Sequence, residues 1–195
     1  MTTAPRFTFE TPADAPGVDA LIARAFGPGR FAKTAERLRE GGAPILDLSA
    51  VAWTDDGLVG CARMWPVAIG GAPALMLGPF AVDAAYRSLG LGAALIEQAC
   101  NAAAAAGHGL VLLVGDEAYF SPLGFSAASA RRVVMPGPVD QRRVLVRALI
   151  PGAEESAIGL VTIRRVDSAA SPLHQSPKAK LRPAAQPLEV LPSGV

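Results

Sequence analysis

The run Arg87-Ser88-Leu89-Gly90-Leu91-Gly92 decides how this chain is read. An apolar, strand-like stretch, residues 75–82, comes just before it, and a helix-like stretch, residues 91–106, follows. A glycine-rich turn that opens a helix presents unpaired backbone N–H groups on the positive end of the helix dipole. Such a turn is an anion site, and phosphate is the usual anion. The spacing R-x-x-G-x-G is neither a dinucleotide fingerprint, which needs G-x-G-x-x-G and an acid roughly 20 residues on, nor a P-loop, which ends in Gly-Lys-Ser/Thr. A strand-to-helix turn that uses glycine only for positive φ or close packing satisfies the same letters.

Working outward, residues 7–10 alternate as a first strand. Thr11 and Pro12 open a helix with Val18, Leu21, Ile22, Ala25 and Phe26 at helical spacing, and Gly27-Pro28-Gly29 ends it. Residues 31–40 predict a second, weaker helix. A meander of three strands follows, at 48–54, 58–69 and 74–82, with turns at Asp55-Asp56-Gly57 and Gly70-Gly71. Residues 110–114 are apolar at every position, as in a central strand covered on both faces. Asp116 suits the N-cap of a short helix that ends at Gly124-Phe125. Residues 131–135 and 143–150 predict a closing antiparallel pair joined by Pro136-Gly137-Pro138. The fold class is α+β, a mixed and mostly antiparallel sheet flanked by helices.

The chain has 195 residues, enough for one domain with one core. The boundary falls after residue 166. Beyond it, residues 167–195 hold five spread prolines, few large apolar side chains and a mild basic cluster (Lys178, Lys180, Arg182), which predicts an extended, flexible tail. A hydrophobic fraction of 51% with 18% charged residues describes a globular protein. A net charge of +1 argues against nucleic-acid and membrane-surface partners, because a polyanion would not be strongly attracted. Cys61 and Cys100 lack metal-like spacing and are expected as buried free thiols. No secretory leader and no apolar run of membrane-spanning length is present in the sequence, so the cytoplasm is the expected location.

The glycine loop has company. Gly78-Pro79-Phe80-Ala81-Val82-Asp83 precedes it; the strand 110–114 and then Tyr119-Phe120-x-x-x-Gly124-Phe125 follow it. In this order the motifs resemble those of the GNAT superfamily of N-acetyltransferases, over residues 6–150. The resemblance implies a sheet splayed between its fourth and fifth strands. It also implies acetyl-CoA as cosubstrate, no metal, an amine acceptor on a small molecule or a protein, and allows a homodimer. Carried onto this chain, the CoA pyrophosphate would lie on Arg87, Ser88, Leu89, Gly90, Leu91, Gly92 and Ala93. The pantetheine arm would pair with backbone groups of Phe80, Ala81 and Val82, one of which would also serve the oxyanion.

The family often places a tyrosine four residues before the Gly-Phe pair to protonate the leaving thiolate. Here that position is Phe120, which has no proton to give, and Tyr119 lies one residue earlier, about 100° away on an ideal helix. Three alternatives stay open: Tyr119 acts from a helix distorted by Pro122, a water replaces it, or the chain is a weak or non-catalytic acyl-CoA-binding module. Asp116 and Glu117 lie near the expected base, although helix capping accounts for both. His108 and His174 are poor candidates. For the acceptor side, the loop 26–31, Met64 and Trp65 are expected to line a cleft in which Arg30 and Arg63 attract an acidic acceptor.

Overall fold

A computed structural model describes residues 4–164. The expected tail and His174 lie outside the described residues. The elements run β1 (Arg6–Phe9), α1 (Ala15–Phe26), α2 (Thr34–Arg39), β2 (Ala50–Thr54), β3 (Gly57–Ile69), β4 (Ala72–Val82), α3 (Leu91–Ala105), β5 (Leu110–Val114), α4 (Glu117–Phe120), β6 (Val133–Val134), β7 (Val144–Ala148) and β8 (Gly159–Ile163). Short 3-10 turns connect several of them.

The sheet order is β1-β2-β3-β4-β5-β7. All of its neighbours are antiparallel except β4 and β5, which run parallel. The parallel pairing is short: only Leu75 with Val111 and Met76 with Leu112 are partners. From Leu77 onward β4 leaves β5, while β5 stays paired with β7 along its whole length. This is the splay expected between the fourth and fifth strands. Its local cause is a bulge: Leu77 faces Met64 and Phe80 faces Ala62, so Gly78 and Pro79 together stand opposite Arg63 alone. Two residues against one bend the strand. Gly78, at φ +133°, takes a conformation that side chains resist.

Strand alternation sorts the two faces of the sheet. Ala62 and Met64 of β3 join Leu91, Leu95 and Ile96 of α3 on one face. Gly60 permits the close approach, because a Cβ there would lie 2.7 Å from both the Leu91 and Leu95 methyls. Cys61 faces the other way, onto Val18, Leu21 and Ile22 of α1, and Trp65, Val67 and Ile69 continue that second face towards α2 and β8. Both cysteines are buried and free, and burial pushes the thiols up to about 12 for Cys61 and about 11 for Cys100.

Three expectations change. The second helix does not run through residues 31–40, because Lys33 is extended (φ −83°, ψ 138°) and separates a 3-10 turn at Pro28–Ala32 from α2. The closing pair does not form between residues 131–135 and 143–150. β7 instead completes the main sheet against β5, and the two-residue β6 runs parallel to β8. β8, which the sequence reading left without an element, pairs antiparallel with β3 at Val67–Ile69.

Candidate active site

The gap between β4 and β5 opens into a cavity of about 740 Å³. Phe80, Pro79 and Gly78 form one wall and Leu113–Asp116 the other. Tyr119 and Phe120 of α4 stand at one end, and Phe26, Arg30, Lys33, Glu36 and Arg39 stand on the α1–α2 side. The loop 138–140 closes the rim. It is tied to α2 by the Thr34 hydroxyl, which donates to the Pro138 carbonyl at 2.6 Å.

The glycine loop sits at the mouth of this gap. Ser88 and Gly90 are both left-handed (φ 64° and 76°), which turns the chain sharply before α3 begins. The first helical closure is Ala94 N–H to Gly90 C=O at 3.1 Å, so the amides of Leu91, Gly92 and Ala93 have no intrahelical acceptor. Among the described residues, no side chain caps them. The residues therefore fit an anion: several donors point off one helix end, and a Cβ at Gly90 would meet nothing within 4 Å. Leu89 is 70% exposed on the loop, whereas Leu91 is buried in the core. The Arg87 guanidinium folds back, its Nε donating to the Val82 carbonyl at 3.4 Å.

On β4 the Ala81 side chain is buried against α1, Val82 packs on the α3 side, and Phe80 lines the cavity. The edge of Phe80–Val82 that faces β5 has no strand partner among the described residues, so apart from the Val82 carbonyl, which accepts from Arg87, an extended ligand can pair there.

α4 sends its two aromatic side chains to different places. It is a single turn followed by a 3-10 turn that holds Pro122. Phe120 points inward: it is 8% exposed, meets Phe125 edge-on at 5.9 Å, and lies so close to Gly115 that a side chain there would collide. Tyr119 points into the gap. Its ring lies 6.2 Å from that of Phe80, and its hydroxyl hangs over the first turn of α3. A Cβ added to Gly92 would lie 2.5 Å from that hydroxyl and 2.9 Å from Cζ of Phe80. Glycine at position 92 thus brings Tyr119, Phe80 and the helix end together. Partial burial raises the Tyr119 phenol above its usual value.

Other expected residues divide. Asp116 lines the cavity while also accepting from the Ala118 N–H at 3.0 Å; Glu117 turns away to accept from the Ala127 N–H at 2.8 Å. His108 is absent from the cavity walls, and burial lowers its pKa. Met64 is not in the cleft, because alternation along β3 sends it into the α3-side core; Trp65 faces the α2 side instead and lines a smaller recess of about 150 Å³. Arg63 is not a free attractant for an acid. Its guanidinium is held by Glu10 (Nε to the two carboxylate oxygens, 3.0 and 2.9 Å) and by Asp19 (2.8 Å). Arg30 does line the cavity, 4.4 Å above the Phe31 ring.

Sequence reading missed Lys33, Glu36, Arg39 and Arg143 on the cavity wall. The Glu36–Arg39 spacing of three on a helix was the available signal; the pair closes at 2.6 Å. Burial lowers the Arg39 pKa. Among the described residues, no group of three or more His, Cys, Asp or Glu could hold a metal, and no helix is long and apolar enough to cross a membrane.

Comparison with known proteins agrees with this geometry. The acetyltransferase (GNAT) domain family matches residues 47–127. The uncharacterized N-acetyltransferase YhbS of Escherichia coli strain K12 is 34% identical over 155 residues, which span 78% of this chain and 92% of the relative. The crystal structure of Escherichia coli YhbS in complex with CoA superposes with a TM-score of 0.71 at 31% identity, over 82% of this chain and 89% of that one. A GNAT family acetyltransferase from Brucella melitensis, solved with acetyl-CoA, superposes with a TM-score of 0.53 at 28% identity, over 77% and 97% of the two chains. The splayed sheet, the uncapped helix end at its mouth and these relatives together make the chain a member of the GNAT family of N-acetyltransferases.

Proposed function

We propose that this chain transfers the acetyl group of acetyl-CoA directly to a primary amine of a small molecule or a protein. The observation that carries the reading is an uncapped helix end at the mouth of a gap walled by Phe80 on one side and Tyr119 at its end. Solved relatives hold CoA and acetyl-CoA. In this reading the amides of residues 88–93 bind the pyrophosphate, with no Cβ at Gly90 or Gly92 to obstruct approach. The free edge of Phe80–Val82 pairs with the amides of the pantetheine arm and offers an N–H to the developing oxyanion.

Acetyl-CoA supplies an activated thioester. The amine nitrogen bonds to the acetyl carbon, the C–S bond breaks, and the sulfur leaves with the electron pair. Tyr119, on the wall of the gap, gives its phenolic proton to that sulfur. Asp116, on the cavity wall, accepts the proton that the new amide sheds. Phe120 is a core residue in this scheme and takes no part.

The test is release of CoA over a panel of primary amines, with acetyl-CoA binding measured by calorimetry. Saturable binding with turnover of at least one amine is expected. Absence of acetyl-CoA binding would overturn the reading. Tight binding without turnover on any amine would instead make the chain a CoA-binding module.

A further inference from the structure

The cavity and the small recess behind it share four wall residues: Arg30, Glu36, Arg39 and Pro79. At this junction one carboxylate serves two guanidinium groups. Glu36 accepts from Arg39 at 2.6 Å and stands 3.5 Å from Nε of Arg30. Within this trio the two guanidinium groups outnumber the carboxylate by one charge. Asp19 shares Arg63 with Glu10, Asp140 is paired with Arg142 at 2.8 Å, and neither Asp19 nor Asp140 is hydrogen-bonded to Arg30 or Arg39. Glu40, on the recess rim, is exposed to solvent. Lys33 adds a further cation on the same side of the cavity.

Two donors there also lack acceptors. Among the described residues, neither the Nε of Arg30, which Glu36 approaches only at 3.5 Å, nor the indole Nε1 of Trp65 has a hydrogen-bond partner, and both are buried. Trp65 is only 9% exposed, lines the recess, and lies beneath the Arg39 guanidinium at 5.8 Å. A buried N–H left without an acceptor is costly, and an acceptor-only ligand group removes that cost. A recess of about 150 Å³ holds about five water-sized groups, enough for a carboxylate and part of its stem.

We infer that the acceptor is an amino carboxylate: its amine faces Tyr119 and Asp116, and its carboxylate binds at the junction between Arg30 and Arg39, beside the Trp65 N–H. This rests on acetyl transfer within the same cavity and adds a specificity-determining subsite to it. Arg30, Arg39 and Trp65 position the acceptor and take no part in bond making.

Matched pairs test it: 5-aminopentanoate against pentylamine and 4-aminobutanoate against butylamine, in the CoA-release assay. The carboxylated member is expected to have the higher kcat/KM by tenfold or more, expressed in KM, since a hydrogen bond to a charged group is worth about that factor. Trp65→Phe keeps an aromatic ring and removes the N–H, and Arg30→Gln removes the charge. Each is expected to cut the preference about tenfold. Binding is read separately by saturation-transfer NMR on CoA-saturated protein, with pentanoate and 1-pentanol as probes. Selective binding of pentanoate, weakened by Trp65→Phe, supports the subsite even if no amine turns over, a result that would count only against the transfer reading. Equal kcat/KM within the pairs, or equal binding of the two probes, overturns it.

Discussion

Replacing Gly92 by alanine separates the site from the fold. The added Cβ would lie 2.5 Å from the Tyr119 hydroxyl and 2.9 Å from the Phe80 ring, where ordinary contact begins near 3.4 Å. Tyr119 must therefore retreat by about 0.9 Å and Phe80 by about half that. Stability should hardly notice. Tyr119 is 48% exposed and can swing outward, and alanine is favoured over glycine in a helix by up to about 1 kcal/mol. The expected change in Tm is within about 4 °C. Catalysis should notice, because a misplacement of about 1 Å costs on the order of 10²-fold in rate, or about 2.7 kcal/mol of barrier. The assay is CoA release at saturating acetyl-CoA beside a thermal melt. In a Tyr119→Phe background the hydroxyl contact disappears, so Gly92→Ala should cost less there than in the parent, a non-additive cycle. A Gly92→Ala protein with the parent's rate, or full additivity with Tyr119→Phe, would refute the placement of Tyr119 in the reaction.

Other substitutions follow from the same packing. Tyr119→Phe should lower kcat by about tenfold to 10²-fold, and adding Phe120→Tyr should not restore it, because that ring is wedged against Gly115 and Phe125 at the end of the cavity; recovery of activity in the double variant would contradict this. Arg63→Ala leaves Glu10, itself 3% exposed, buried without its partner, and should cost about 3–5 kcal/mol, read as the loss in urea-unfolding free energy. Both thiols are held neutral by burial, so the unfolded chain ionises first. Their stabilisation is complete below pH 9.0 and fades as pH climbs towards about 12, which a pH series of chemical melts would detect against a Cys61→Ala, Cys100→Ala control. With native protein at pH 8, about one Cys100 thiol in 10³ is ionised and Cys61 is less so, so aromatic disulfide reagents should label neither within minutes.

The sequence carried the parts of the fold that are local. The β2–β4 meander, α3 and β5 each announce themselves by period and by turn residues, and the glycine loop with its flanks led to the correct family. What it did not carry depends on distant partners. Val133–Val134 and Val144–Ala148 have equally strand-like letters, yet β7 is drawn to the free edge of β5 and β6 to β8, a strand whose mixed pattern gave little warning. Met64 and Trp65 were assigned to one cleft although neighbours on a strand face opposite ways; the alternation that separates them was legible and only its direction was not. Arg63 looked available because its partners Glu10 and Asp19 are 53 and 44 residues away in sequence. Arg39 went unnoticed because its importance comes from burial between two cavities, which no local pattern encodes.

Amide-resolved NMR during titration with acetyl-CoA tests whether the loop from Arg87 to Ala93 holds the cofactor's phosphates while its arm runs along Phe80–Val82. Saturable shifts are expected on the N–H groups of residues 88–93 and 80–82, with the Leu91, Gly92 and Ala93 amides moving downfield as they gain an acceptor. Binding that leaves those amides unmoved, or no binding at all, would contradict this placement.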